Sequence, residues 1–599
     1  MLRIVPRPWI EELDGGRAPL GKIGVLRTEY GDLLREMFLE AVCTDLCVAN
    51  SIEELADDVE SVASLHSSDD PEAAAMRESI HSVPEQADIG TEGYCISVRR
   101  EDNRTLVNCV GGGSAGAFYA TRTLRQMLHD GSIRTGLIVD RPAFTERGVN
   151  EGYVARSWSH EERMDLIRFM GEHKMNRFFT ATRGIKASRD WREPYTDEEL
   201  RAMSEEIELA RRNHIEMVYS IRPKSIVYSD AKDAELLATK CRQVQDLGVR
   251  CFHLLADDIK LKLPGEDASR FGSLAEAHVV VVHGLHEALA SSGELVRLLF
   301  CPTVYCTRAY HERHHPENRE YLDYLGAHLR PEIDIMWTGL QVFSERILSR
   351  DADYIAGVLR RKPYIWDNYP VYDGQPVILE LGPLRERDPD LHEHVAGWSS
   401  NTNRHVASLK MVLATIADYA WNCEAYDPEE SHKCAVMRAE CPEASHIFTE
   451  LVREYTSNPI NRGIYRADQA GNVRNIYEYV QRQYDPRFRD NVERLREKFS
   501  RLLPELDDKM SNRPLFEELR LSMEGFLHLA EAYELNFEML QTEAASDTDR
   551  ISEIKAALEG KREQYEQEWE QREELVAALC FLRGEPGYYR KLMRLDRYH

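Results

Sequence analysis

The chain has 599 residues, 43% hydrophobic and 30% charged, an ordinary globular composition with length for about four domains, fewer if one is a large barrel. Its net charge of −27 opposes unaided binding to nucleic acid or to an anionic membrane. No stretch approaches the roughly 18 apolar residues of a membrane span, the start Met1–Trp9 has no apolar h-region, and none of the 12 cysteines forms a Cys-x-x-Cys. These features lead to the expectation of a cytoplasmic protein with reduced thiols and neither a zinc ribbon nor a redox motif.

Residues 1–142 read as an N-terminal α/β domain. Tyr94–Arg99, Thr105–Val110 and Gly136–Asp140 are strand-like, and an amphipathic helix covers Ala117–Leu128. The turn Gly111-Gly-Gly-Ser-Ala-Gly116 formally matches G-x-G-x-x-G, and Asp140 lies near the spacing of a ribose-binding acid. However, Arg141-Pro142 runs straight into the next domain and no second βαβ half follows. A dinucleotide is therefore not expected, nor any other cofactor.

Residues 143–428 alternate strand and helix. The strand candidates are Arg147–Tyr153, Arg177–Thr182, Glu216–Ile221, Cys251–Asp257, Val296–Tyr305, Glu332–Thr338, Pro363–Asn368 and Gly397–Asn401. Helical stretches such as Ser159–His173, Thr196–Asn213 and Ala231–Leu247 separate them. Eight such units over about 280 residues predict a (β/α)8 TIM barrel, which typically takes about 250. Residues 429–599 lose the strand signal and read as a C-terminal α-helical domain. Its helices are Phe488–Leu503, Arg513–Leu540 and Asp549–Phe581, with Pro504, Pro514 and Gly560 as breaks or boundaries. The fold class is thus α/β, a barrel between a small α/β domain and a helical one.

The apolar run Cys251-Phe-His-Leu-Leu-Ala256 ends in two adjacent acids, Asp257 and Asp258. A barrel keeps its chemistry at the carboxyl ends of its strands. Two carboxyls so close cannot both ionise freely, so one pKa should rise and the other fall. The competing account is that the pair only caps the next helix. Polar residues end the other strands too: Glu151-Gly152, Arg183, Tyr305, Thr338, Asp367-Asn368 and Asn401. His311-Glu-Arg-His-His315 lacks the H-E-x-x-H order, and Pro316 disfavours a helix there, so a polar loop and no metal site is expected.

The stretches Arg147-Gly-Val-Asn-Glu-Gly-Tyr153, Trp191-Arg-Glu-Pro-Tyr195, Leu255-Ala-Asp-Asp-Ile259, Cys301-Pro-Thr-Val-Tyr-Cys306, Met336-Trp-Thr-Gly339 and Ile365-Trp-Asp-Asn368, with Asp373 beyond, resemble glycoside hydrolase family 84 in order and spacing. This is the family of β-N-acetylglucosaminidases that includes O-GlcNAcases and bacterial homologues. The resemblance implies a retaining exo-β-N-acetylglucosaminidase in which the sugar's own 2-acetamido oxygen attacks the anomeric carbon, outside the scheme of two opposed carboxylates. It implies that Asp257 accepts the acetamido N–H and that Asp258 is the acid and base. Gly152 and Arg183 would bind the sugar. Cys301, Tyr305, Thr338 and Trp366 would form the acetamido pocket, with the Tyr305 hydroxyl toward the acetamide oxygen. Asn368 would brace the reacting region, and Asp373 and Asn401 would hold outer hydroxyls. The implied partner is a GlcNAc-containing glycoside or glycoconjugate, with no nucleic acid, membrane, cofactor or metal. Neither the oligomeric state nor the natural aglycone can be read from the residues.

The chain departs from the family at the sugar-contacting edge. Val154 replaces an aromatic, Arg183 falls where the family has a lysine, and Ser220-Ile-Arg-Pro-Lys224 stands for Ala-Ile-Ser-Pro-Gly. Two alternatives follow from these changes: a hexosaminidase specialised for a small-molecule GlcNAc conjugate, and a sugar-binding protein with a decayed site.

Overall fold

The computed structural model describes residues 3–42, 46–70, 89–151, 158–180, 191–263, 265–307, 315–371, 379–439, 444–455, 489–568, 571–572 and 582. The N-terminal part is built on strands β1 (Ile10–Pro19), β2 (Ile23–Leu26), β3 (Leu46–Ala49), β4 (Ser61–Ser67), β5 (Tyr94–Glu101), β6 (Arg104–Gly111), β7 (Leu128–His129) and β8 (Ser132–Asp140). They form one mixed sheet in the order β1-β8-β5-β6-β4-β2-β3, with β7 paired to β8. Helices α1 (Gly31–Ala41) and α2 (Ser114–Met127) share an apolar core with the sheet. The sequence reading anticipates β5, β6, β8 and α2 but not β1 to β4.

The glycine turn after β6 is packed against protein backbone. A Cβ at Gly112 would lie 1.7 Å from the Gly90 oxygen, and one at Gly116 would lie 2.2 Å from the Gly93 oxygen. Close approach of two chain segments, not of a pyrophosphate, accounts for these glycines. Asp140 is likewise used up in the fold. Its buried carboxylate accepts hydrogen bonds from Tyr94 Oη, from Lys174 Nζ at 2.9 Å and from Trp421 Nε1 at 2.7 Å. Lys174 and Asp140 are both fully buried, and the pair ties the sheet to the barrel.

Eight parallel strands close that barrel: β9 (Arg147–Asn150), β10 (Arg177–Thr180), β11 (Glu216–Ile221), β12 (Cys251–Leu255), β13 (Arg297–Cys301), β14 (Asp334–Trp337), β15 (Tyr364–Asp367) and β16 (Gly397–Asn401), with β16 pairing back onto β9. All eight expected strands are present. Six are shorter than their candidates, and the ends of two of those candidates, at Tyr153 and Thr182, lie outside the described residues. Between the strands run α3 (His160–Glu172), α4 (Asp197–Arg212), α5 (Ala231–Gln245), α6 (Leu274–Ala290), α7 (Pro316–His328) and α8 (Ser349–Leu359), and α9 (Val406–Trp421) follows β16. Capping boxes at Ser159/Glu162 and Thr196/Glu199 start α3 and α4 by satisfying first-turn N–H groups. Residues alternate along each strand, so Phe179, Val218, Cys251, Leu299, Met336 and Tyr364 fill the lumen while the other set packs under the helices.

Beyond the barrel lie α10 (Pro428–Ala439), α11 (Ser445–Tyr455), α12 (Arg489–Lys509), α13 (Arg513–Ala545) and α14 (Thr548–Glu568). Pro514 opens α13 as a first-turn proline should. Two expected breaks are corrected: Pro504 lies inside α12 and Gly560 inside α14. The face of α12 bearing Leu495, Phe499, Leu502 and Leu506 is buried in a core shared with α13, and that burial outweighs the lost backbone bond. A Cβ at Gly560 would meet nothing within 4 Å, so glycine there costs only its helix propensity, about 1 kcal/mol. This helical core includes Met411 and Ala414 of α9. Glu518 of α13 accepts from the Ala407 and Ser408 N–H groups at 3.0 and 2.7 Å, capping α9 from outside.

Two outcomes follow. Lys174→Met leaves the Asp140 carboxylate buried without its cation and should cost about 3–5 kcal/mol in urea denaturation. Adding Asp140→Asn should recover much of that loss. Ending the chain near residue 430 uncovers the apolar faces of α9 and should give an aggregating product by size-exclusion chromatography. A monodisperse, cooperatively melting product would show that the helices are not needed for folding.

Candidate active site

The period-two alternation of β12 places Cys251 and Leu255 in the lumen. His253 faces the same way, its ring 5.6 Å from Phe179 and 5.4 Å from Trp366. Asp257 continues this inward set and is 9% exposed. In an extended strand the next residue would point to the opposite face. Asp258 instead has φ +58°, the left-handed region that Asp tolerates better than most side chains. The chain therefore turns at Asp258, and both carboxylates reach one neighbour: Arg222, just beyond β11, donates through Nη2 to Asp257 Oδ2, and its Nη1 lies 4.0 Å from Asp258 Oδ2. On the other side Tyr305 Oη donates to Asp258 Oδ1 at 2.8 Å. The pair does not cap a helix, because α6 begins only at Leu274 with Ser273 as its N-cap.

Burial pushes the Asp257 carboxyl up from its ordinary range, against the pull of Arg222 and with reinforcement from Asp258. Asp258 is half-exposed. The raised member is thus the one that the resemblance casts as the charged partner, because it is the deeper of the two. Burial, then the Asp258 charge, push the Tyr305 phenol far up, so it stays a hydrogen-bond donor. Burial, then the Arg222 charge, lower His253 to about 3, so it is neutral at ordinary pH.

The other expected residues are distributed as follows. Cys301 ends β13 and is buried. Thr338 follows β14; its N–H donates to the Tyr305 oxygen at 2.8 Å and its hydroxyl to the Gln341 oxygen at 2.8 Å. Trp366 lies against the lumen cluster, and its Nε1 is buried with no hydrogen-bond partner among the described residues. Asn368 donates to the Val342 oxygen at 2.6 Å and accepts from Asn401 Nδ2 at 2.8 Å. The Tyr305 hydroxyl is on Asp258. Gly152, Arg183 and Asp373, with Val154, lie outside the described residues, as do residues 311–314 of the histidine run.

His315 is the non-helical N-cap residue of α7 and Pro316 opens that helix, so the described end of the histidine run lies ahead of the helix. Two acids at strand ends are structural. Glu151 is held by Arg163 at 2.7 Å, and Asp367 by the paired Arg387 nitrogens at 2.8 and 2.6 Å. Sequence reasoning noted Arg222 only as a departure; its signal was a cation one residue beyond a strand end in the barrel. No group of three or more His, Cys, Asp and Glu is placed to hold a metal ion among the described residues. One buried and one half-exposed carboxyl, with fixed donors on either side, can share a proton and receive a polar N–H at the same mouth.

A family model described as beta-N-acetylglucosaminidase matches residues 147–453. A second, described as glycosyl hydrolase family 20, domain 2, matches residues 40–141. Protein O-GlcNAcase of Rattus norvegicus is 33% identical over 275 residues, and that of Mus musculus 32% over 274. Each alignment covers 45% of this chain but spans only 29% of the relative's length. Among solved structures, CpGH84B aligns over 100% of both chains with TM-score 0.70 at 23% identity, a likeness of fold. A point mutant of the O-GlcNAc hydrolase of Thermobaculum terrenum aligns over 76% of this chain and 97% of its own, with TM-score 0.56 and 26% identity. The beta-N-acetylglucosaminidase match covers half of the chain and contains all eight barrel strands and the aspartate pair, so the protein belongs to that family, glycoside hydrolase family 84.

Proposed function

We propose that the protein is a retaining exo-β-N-acetylglucosaminidase that releases terminal β-linked GlcNAc by substrate-assisted catalysis. The observation that carries this reading is that Asp257 and Asp258 converge on one guanidinium, and so lie on the same side of the mouth. A pair used as acid and nucleophile would flank the scissile bond, about 5–5.5 Å apart. With both acids on one side, the nucleophile comes from the substrate: the acetamide oxygen bonds to the anomeric carbon as the glycosidic bond breaks. Asp258 gives its proton to the departing oxygen. Asp257 accepts the amide N–H and balances the positive charge of the oxazoline intermediate. Water, deprotonated by Asp258, then opens that ring and restores the configuration.

The raised Asp257 runs against this assignment in the resting site, and a bound sugar reverses the balance. Covering half-exposed Asp258 removes its solvent and favours its protonated form, while an amide N–H on Asp257 favours the carboxylate. Cys301, Tyr305, Thr338 and Trp366 make the acetamido pocket, where the Trp366 N–H is a buried donor. Asn368 and Asn401, bonded to each other, face the sugar hydroxyls together with Gly152, Arg183 and Asp373, which rest on the resemblance alone. Leu340, Val342 and Phe343, each more than a third exposed, follow Thr338 and offer an apolar lip for an aglycone. The relatives named Protein O-GlcNAcase make a glycosylated protein one candidate, and a small conjugate is the second reading. Cytoplasmic action is part of the proposal, in keeping with the nine free cysteines among the described residues.

Asp258→Asn should lose about 10²–10⁴-fold in kcat/KM on alkyl β-GlcNAc glycosides, and far less on aryl glycosides with good leaving groups. An equal loss on both would remove Asp258 as the acid. Aryl β-glucosides without the acetamide should be inert. NMR of the first-formed sugar should show the β-anomer; α-product, or equal turnover of the glucosides, would overturn the mechanism.

A further inference from the structure

Asp257 has two carboxylate oxygens in different situations. Oδ2 accepts from Arg222, whereas Oδ1 is buried with no partner among the described residues. The guanidinium therefore holds the carboxylate by one oxygen and leaves the other for a ligand N–H. Arg222 is also the only residue ion-paired with Asp257 among the described residues. Among the described residues, the remaining titratable groups around the carboxylate supply no positive charge. His253, four residues back on β12, is neutral; Cys301 at the end of β13 is a buried thiol with its pKa pushed well up; Tyr305 is a donor to Asp258; and Asp258 itself is an acid. Phe179 and Trp366, from β10 and β15, close the surroundings of His253 with rings that do not titrate.

The pair thus faces a conflict that one cation opposes: with Arg222 beside it the Asp257 carboxyl is still raised, but by less than burial and Asp258 alone would raise it. Of two adjacent carboxyls sharing one proton, the buried one is the more reluctant to be charged. Left to itself, Asp257 would take the proton, the reverse of what the proposed reaction needs. Arg222 touches Asp257 directly, while its nearest approach to Asp258 is 4.0 Å, and Asp258 is 51% exposed and screened by solvent. The attraction therefore falls mainly on Asp257.

We propose that Arg222 is a positioning residue that decides where the site's proton resides, holding Asp257 as the carboxylate that receives the substrate amide and leaving Asp258 to carry the proton for the leaving group. This rests on the substrate-assisted reading and explains why a cation stands where the family sequence has a small residue. A planar guanidinium can span both carboxylates; a lysine ammonium keeps the charge but not the fork.

The test compares the wild type with Arg222→Gln, Arg222→Lys, Asp257→Asn and the double variant Arg222→Gln/Asp257→Asn. In kcat/KM on an aryl β-GlcNAc, Arg222→Gln should move the acidic limb to higher pH by ~1–3 units, and Arg222→Lys should restore most of the shift. A second readout needs no activity. In Arg222→Gln the folded pKa of Asp257 lies above its unfolded value, a contribution to stability that is present at low pH and lost as pH rises through the folded pKa. The melting temperature of Arg222→Gln should therefore fall further below wild type as pH rises from 4 to 8. In the Asp257→Asn background that pH-dependent gap should vanish. An unmoved acidic limb, or a gap independent of pH or of Asp257, would overturn the role. Coupled melts without hydrolysis of any β-GlcNAc glycoside would sink the hydrolase reading instead, and would uphold the hold of Arg222 on the Asp257 charge.

Discussion

Two like charges on consecutive residues at the end of a parallel strand are the constraint around which this barrel mouth is arranged. A strand sends neighbours to opposite faces, so the pair can act at one place only if the backbone turns between them. The left-handed conformation of Asp258 makes that turn, and aspartate is among the few side chains that accept it cheaply. Once the carboxylates converge they repel, and burial of the first adds to the cost of its charge. Arg222 from the neighbouring strand end and Tyr305 from the other side supply the donors that make the arrangement tenable. All of this needs β11, β12 and β13 in register, with Leu254 opposite Ile221 and Leu255 opposite Cys301.

The rest of the polar interior keeps those strand ends in place. Arg163–Glu151 fixes the end of β9 and Arg387–Asp367 the end of β15, each pair buried and multiply hydrogen-bonded. At the N-terminal sheet, Lys174–Asp140 joins two layers of the molecule. Such pairs add little net stability over apolar replacements, but each is costly to break and tolerates one geometry. Their positions at strand ends and between layers suit that property, because Asn368, just beyond β15, and Asn401, the last residue of β16, are only as well placed as the strands that carry them.

The same contrast explains the glycine turn. Taken alone, Gly111 to Gly116 with Asp140 has the features of a phosphate loop and its ribose acid. In the folded chain Gly112 and Gly116 are spent on contact with Gly90 and Gly93, and the acid on Lys174, Tyr94 and Trp421. A motif defined by backbone freedom does not say what the backbone approaches.

By itself the sequence determined the barrel and the place of the aspartate pair. Strand periodicity of two, helix periodicity of 3.6 and apolar runs ending in polar residues are written within a few residues of one another, and eight repetitions left little alternative. Long-range packing decided what local pattern could not express. Pro504 stays helical because α12 buries its apolar face against α13, and β1 to β4 exist because the sheet offers them partners. Tyr305 meets Asp258, and Arg222 meets Asp257, only because barrel closure sets three strand ends side by side. An ion pair 35 residues apart in the chain has no periodic signature, so its energy, and the acidity it sets, arise only when the strands are assembled.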